Sequence, residues 1–147
     1  MTEKQPETGP PRIMVAEDDP DMSHVLDFLL TREGFSVRVV CDGREALRAI
    51  DEEDPCDVVV LDVMMPFASG LQVVRTLRQT PGWSTVPVIM VSGKGAEGDV
   101  VRAFEAGASD YLTKPFRPRE FVARVRSQVV RARASVRDSG IARGEVA

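Results

Sequence analysis

A carboxylate that closes an apolar run, with a turn directly behind it, is placed to do chemistry. Asp62 is such a residue: it ends the run Val58, Val59, Val60, Leu61 and is followed by Met64, Met65, Pro66 and Gly70. Open α/β sheets take their ligands outside the carboxyl ends of their strands, so an ionised aspartate there suits a nucleophile. Three other apolar runs end in polar groups of different kinds. Ile13, Met14, Val15 and Ala16 lead into Glu17, Asp18 and Asp19; Val88, Ile89, Met90 and Val91 lead into Ser92; Tyr111, Leu112 and Thr113 lead into Lys114 and Pro115. Glu17, Asp18 and Asp62 at neighbouring strand ends would repel one another unless a cation lay among them. Mg2+ fits, because it accepts one or two carboxylates and keeps waters and phosphate oxygens as its other ligands. Asp19, directly before Pro20, reads instead as a helix N-cap.

These residues need a scaffold that gathers four strand ends. β-type segments are expected near 12–17, 35–40, 57–62, 86–91 and 109–113, with helices near 20–33, 43–53, 69–80, 97–107 and 117–134. Such alternation argues for parallel strands with crossover helices on both faces, a doubly wound α/β architecture. Gly34, Pro55, Pro81-Gly82 and Gly107 punctuate the segments where helices should stop or strands begin. Pro87 cannot donate a ladder hydrogen bond and must stand at the very start of its strand. Behind Ser92, the glycines Gly93, Gly95 and Gly98 keep the connecting loop free to rearrange.

At 147 residues, 43% hydrophobic and 29% charged, the chain suits one domain with a sizeable core. Its apolar runs fall far short of the roughly 18 residues that span a bilayer. Residues 1–11 are polar, contain three prolines and lack the apolar stretch of a signal peptide, so they read as a flexible lead-in and the protein as cytoplasmic. Cys41 and Cys56 are too few and too widely spaced for a zinc motif or a disulfide framework, and read as buried or half-buried free thiols. His24, in a helical pattern with Met22, Val25 and Leu26, reads as a surface or packing residue. Residues 117–147 hold eight arginines against three acids, net +5, leaving −9 for the rest of a chain whose net charge is −4. No aromatic follows Phe121, so this basic segment reads as a solvated helix face and not as a nucleic-acid surface. Residues 131–147 are expected to form an Arg-rich helix extension that ends in a frayed tail.

The ordered set of acid pair, aspartate, hydroxyl and lysine at four strand ends resembles the receiver domain of two-component response regulators, the chemotaxis-regulator type, over residues 12–130. The resemblance implies a five-stranded parallel sheet in the flavodoxin-like order 2-1-3-4-5. It implies that Asp62 is the phosphoacceptor, that Asp18 and Asp62 ligate Mg2+ directly with the backbone carbonyl of Met64, and that Glu17 acts mainly through water. Phosphoryl transfer asks chiefly for positioning and charge neutralisation. Mg2+, the Ser92 hydroxyl and the Lys114 ammonium would each meet one phosphoryl oxygen. Ser92 and Tyr111 are the implied switch: the hydroxyl moves toward the phosphoryl group, the ring turns inward, and helix 4, strand 5 and helix 5 present an altered surface. The Lys114-Pro115 bond is commonly cis in this family. The sequence departs from the common pattern in having serine at 92 where threonine is frequent and Gly93 where alanine is usual; neither change removes a functional group.

The expected function is a phosphoacceptor receiver in a two-component phosphorelay. Its implied partners are a histidine kinase or histidine phosphotransfer protein, a downstream protein target and a phosphorylation-dependent second copy. Neither nucleic acid nor membrane is expected to be bound directly. Its only enzymatic chemistry would be its own phosphorylation and the hydrolysis that reverses it. A haloacid-dehalogenase-like phosphatase would carry a second aspartate two residues after the nucleophile, where Met64 stands, and would bring a cap domain. A pseudo-receiver that is never phosphorylated is disfavoured by the intact acid pair, Asp62, Ser92 and Lys114. A regulatory piece of a larger output protein is a further alternative, with the Arg-rich helix past Val130 as the start of a linker.

Overall fold

The computed structural model describes residues 9–146, with side chains described as far as Ser135. Five strands, β1 (Arg12–Ala16), β2 (Ser36–Val40), β3 (Val58–Asp62), β4 (Val88–Ser92) and β5 (Asp110–Thr113), form one sheet in the order β2-β1-β3-β4-β5. Every neighbouring pair is parallel. The helices α1 (Pro20–Arg32), α2 (Gly43–Glu52), α3 (Gly70–Gln79), α4 (Glu97–Ala106) and α5 (Pro118–Val146) alternate with them. This is the doubly wound architecture expected from the alternation of segments, in the flavodoxin-like order that the family resemblance implies.

Two hydrophobic cores lie on opposite faces of the sheet, and the period-two pleat sorts residues between them. Met14, Val59, Leu61, Val88 and Met90 point to the face covered by α2, α3 and α4, where Ile50, Val73, Leu77 and Ala103 meet them. Ile13, Val15, Val58, Val60, Ile89 and Val91 point to the other face, packed by Leu26 and Leu30 of α1 and by Phe121 and Val125 of α5. Because both faces are covered, β3 and β4 are buried at every residue and read as unbroken apolar runs. The edge strand β2 alternates.

Local chemistry sets the helix starts. The Asp19 carboxylate accepts from the Asp21 N–H and Asp42 from the Glu45 N–H, while Ser69 and Gln72 form a reciprocal capping box. Pro87 stands just before β4, its carbonyl accepting from Val59. Cys41 is exposed, contrary to the expected buried or half-buried thiol, because it lies just beyond the edge strand; Cys56 is half-buried. His24 is on the surface. Helix α5 extends to Val146, well past residue 134, because its arginines and alanines favour helix strongly enough to carry Gly140 and Gly144. Arg133 on α5 bonds the buried carboxylate of Asp57 at 3.3 Å, tying the helix to the foot of β3. Of the expected lead-in, residues 1–8 lie outside the described residues, as do Ala147 and the side chains after Ser135. Among the described residues no helix is long and apolar enough to cross a membrane.

Candidate functional site

The strand order brings the chemistry-bearing residues together. β3 is central, flanked by β1 and β4, and its register pairs Leu61 with Ala16 and Asp62 with Val91. Glu17 and Asp18 therefore emerge beside Asp62 on one side and Ser92 on the other. Carboxylate oxygens of Glu17, Asp18 and Asp62 all lie within 4.8 Å of one another. That spacing, with Asp18 exposed and the other two buried, fits a small hard cation that reaches two or three carboxylates from the solvent side.

Lys114, one residue past β5, reaches across the end of β4 to this group. Its Nζ donates to Glu17 Oε1 at 2.9 Å and to Asp62 Oδ2 at 3.4 Å. The pair with Glu17 is the shorter, a contact that sequence reasoning missed because it assigned the lysine only to a phosphoryl oxygen. The Glu17 side chain is 1% exposed and that of Lys114 21%. Burial pushes the Glu17 carboxyl up to about 7; the Lys114 hydrogen bond opposes the shift and the neighbouring Asp62 adds to it. For Lys114, burial pulls the ammonium down, but its bonds and attraction to Glu17 and Asp62 win, and its pKa is raised. The other oxygen of Glu17 accepts from the Asp19 N–H at 3.1 Å, so this side chain is held at both ends.

Asp62 Oδ1 accepts from the Met64 N–H at 3.2 Å, which fixes the start of the β3–α3 turn against the carboxylate. Met64 itself is exposed. Ser92 is fully buried, and its Oγ accepts from the Lys94 N–H at 3.1 Å. Tyr111 is half-buried, and its hydroxyl donates to the Lys94 carbonyl. One residue, Lys94, is thus held by both expected switch side chains through its two backbone groups. The Lys114-Pro115 peptide is cis.

Two further features of the rim were not legible in the sequence. A Cβ at Gly43 would lie 1.9 Å from the Ala68 carbonyl oxygen, and one at Gly70 would lie 2.3 Å from the Asp62 carbonyl oxygen. These glycines let α2 and α3 close on the loop that carries Asp62. Phe67, within that loop, has φ 73, a left-handed conformation rare for an aromatic, and the residue is 70% exposed. A bond of 2.9 Å from the Ala68 N–H to the Pro66 carbonyl closes the turn around it, and the Arg44 guanidinium stacks 3.9 Å from the ring centre. Nothing in the side chain of phenylalanine signals such a backbone position.

A parallel sheet of this order, with an acid group, a hydroxyl and a lysine gathered at the carboxyl edge of its central strands, has the form of a phosphoacceptor module. The chain belongs to the response regulator receiver domain family, whose model matches residues 13–126. It is 45% identical over 120 residues to the DNA-binding response regulator MtrA of Mycolicibacterium smegmatis, covering 82% of this chain and 51% of MtrA. The chain thus spans about half the length of the curated relatives it matches. Among solved structures, the receiver domain of the Francisella response regulator 1452 matches with a TM-score of 0.76 and 32% identity, over 82% of this chain and 98% of that one. The receiver domain of the sensor histidine kinase PA1611 from Pseudomonas aeruginosa PAO1, with a magnesium ion coordinated in its active-site cleft, matches with a TM-score of 0.76 and 27% identity, over 82% and 98%.

Proposed function

We propose that Asp62 is the phosphoacceptor of this receiver, taking a phosphoryl group from a histidine kinase or a histidine phosphotransfer protein. The convergence of three carboxylates within 4.8 Å, beside a lysine 3.4 Å from Asp62, is the observation that carries this reading. An Asp62 carboxylate oxygen attacks phosphorus as the bond to the donor nitrogen breaks, and the imidazole leaves with the bonding pair. Asp18, Asp62 and the Met64 carbonyl would hold Mg2+, with Glu17 acting mainly through water, and the ion supplies neutralisation of charge on the phosphoryl oxygens. Lys114 meets the same charge from the β5 side. Ser92, once released from the Lys94 N–H, has a hydroxyl to donate to a phosphoryl oxygen.

The same residues support the switch. Lys94 is bonded by Ser92 and by Tyr111, so a Ser92 that turns to the phosphoryl group removes one of these two side-chain bonds to the Lys94 backbone in the β4–α4 loop. The surface that then changes is that of α4, β5 and α5, where Val101 and Phe104 are exposed and available to a protein target or a second copy. The protein catalyses only its own phosphorylation and dephosphorylation, and acts in the cytoplasm where kinases of this type deliver phosphate. MtrA is a DNA-binding response regulator, and this chain spans about half of its length. We assign none to residues 9–135: the basic face of α5 carries no aromatic after Phe121.

Incubation with a small-molecule phosphodonor and Mg2+ should add one acid-stable, base-labile phosphate to the wild-type protein and none to Asp62→Asn, whose amide keeps the shape but loses the attacking charge. Full labelling of the asparagine variant would place the acceptor elsewhere.

A further inference from the structure

A groove of about 620 Å3 runs along the outer side of the α1–α5 pair, on the face of the sheet that α1 and α5 cover. Its floor is apolar, formed by Pro118, Val122, Ala123 and Val130, and Val130 is 63% exposed. Its rim is basic: Arg32 from α1, and Arg119, Arg126 and Arg131 from α5. The one acid among its described lining residues, Glu33, is taken by Arg126 at 2.6 Å. Among the described residues Arg32, Arg119 and Arg131 make no ion pair. The Arg32 guanidinium lies 5.5 Å from the ring centre of Phe28, an exposed aromatic that carries the apolar strip onto α1. The groove runs from Pro118 and Arg119, where α5 begins beyond the carboxyl end of β5, to Glu33, where α1 hands over to β2 at the amino edge, and Glu17, Asp18, Asp62, Ser92 and Lys114 are not among its lining residues.

An apolar floor ringed by unneutralised cations selects its occupant. A second copy seated by a two-fold axis would face its own arginines across the contact, and like charges there oppose association. A bilayer surface is flat, and the groove is concave. A helix with leucine-type anchors on one stripe and carboxylates on both flanks satisfies floor and rim together, the geometry of helix-in-groove recognition. We propose that the α1–α5 groove docks an acidic amphipathic helix of a partner protein, through residues other than those of the phosphoryl site.

The test is a fluorescence-anisotropy titration of the full chain against a fluorescein-labelled helical peptide of about 18 residues, with leucines at i, i+3, i+4 and i+7, glutamates on the two flanks of that stripe and alanines and glutamines elsewhere. Expected is saturable one-to-one binding, weakened at least about tenfold in Val130→Glu and in the double variant Arg119→Glu/Arg131→Glu, and unchanged in Arg48→Glu, an exposed arginine on α2. Amide shift changes should fall on α1 and α5. Because Val130 is mostly exposed, its variant should keep the wild-type thermal transition; if either variant does not, Val130→Ser and Arg131→Gln take their places. The proposal is overturned if a lysine-for-glutamate or serine-for-leucine peptide binds as tightly, if Val130→Glu has no effect, or if Arg48→Glu weakens binding as much. It is overturned equally if vesicles of anionic phospholipid bind while the peptide does not, or if the groove variants abolish only self-association in sedimentation.

Discussion

The position of Glu17 makes Mg2+ binding depend on pH in a way that can be worked out in advance. Glu17 is buried, and burial pushes its carboxyl from 4.5 up to about 7. A cation among Glu17, Asp18 and Asp62 favours the ionised form, so a proton on Glu17 and Mg2+ compete. With one competing proton near neutrality, Glu17 is about nine-tenths ionised at pH 8 and about one-tenth at pH 6, so apparent affinity should fall about tenfold between them, about 1.4 kcal/mol. Lys114 adds no slope in this window, because its pKa is raised from an already high value and it stays charged. Without the ion, stability runs the opposite way. A carboxyl whose folded pKa exceeds its unfolded one contributes stability below about 4.5, and that contribution is lost as pH rises through about 7. The thermal transition of the metal-free protein should therefore drop between pH 5 and pH 8, and added Mg2+ should restore more of it at pH 8 than at pH 6. Isothermal titration calorimetry in buffers of unlike ionisation enthalpy measures both the affinity and the proton released, about half a proton per ion at pH 7. Glu17→Gln should bind Mg2+ with little pH dependence over the same range. Equal wild-type affinity at pH 6 and pH 8, or a slope that survives in Glu17→Gln, would refute the reasoning.

Lys114→Ala should keep its thermal transition within a few degrees, since the ammonium is at the rim, yet respond weakly to beryllofluoride when shift changes on α4, β5 and α5 are followed; an unfolded variant would make the lysine structural. Met64→Asn should lose its phosphate faster than wild type at equal Mg2+, because an amide at this exposed position can orient the attacking water and a thioether cannot; an equal or slower rate would show that Met64 does not gate hydrolysis. Gly43→Ala should destabilise the fold by about 1–3 kcal/mol, because its Cβ would lie 1.9 Å from a backbone oxygen, and denaturant melts that match wild type would mean the α2 contact is slack.

Much of this protein was written in one dimension. The apolar runs of β3 and β4 announce strands covered on both faces, and Asp19 before Pro20 announces the start of α1, because both signals depend on neighbours in sequence. The types of residue at the strand ends were legible too, and with them the resemblance that orders the sheet. Proximity was not. That Lys114 bonds Glu17 more closely than Asp62, that Ser92 and Tyr111 both hold Lys94, and that Gly43 must lack a side chain for Ala68 to pass are consequences of register and crossover packing between segments far apart in the chain. The raised pKa of Glu17 has the same origin, since it arises from burial among groups contributed by β1, β3 and the end of β5. The left-handed backbone at Phe67 and the exposed floor of the α1–α5 groove were likewise decided in three dimensions: steric closure of a loop and the placing of one helix beside another are set by what packs around them, and no local pattern of residue types encodes either.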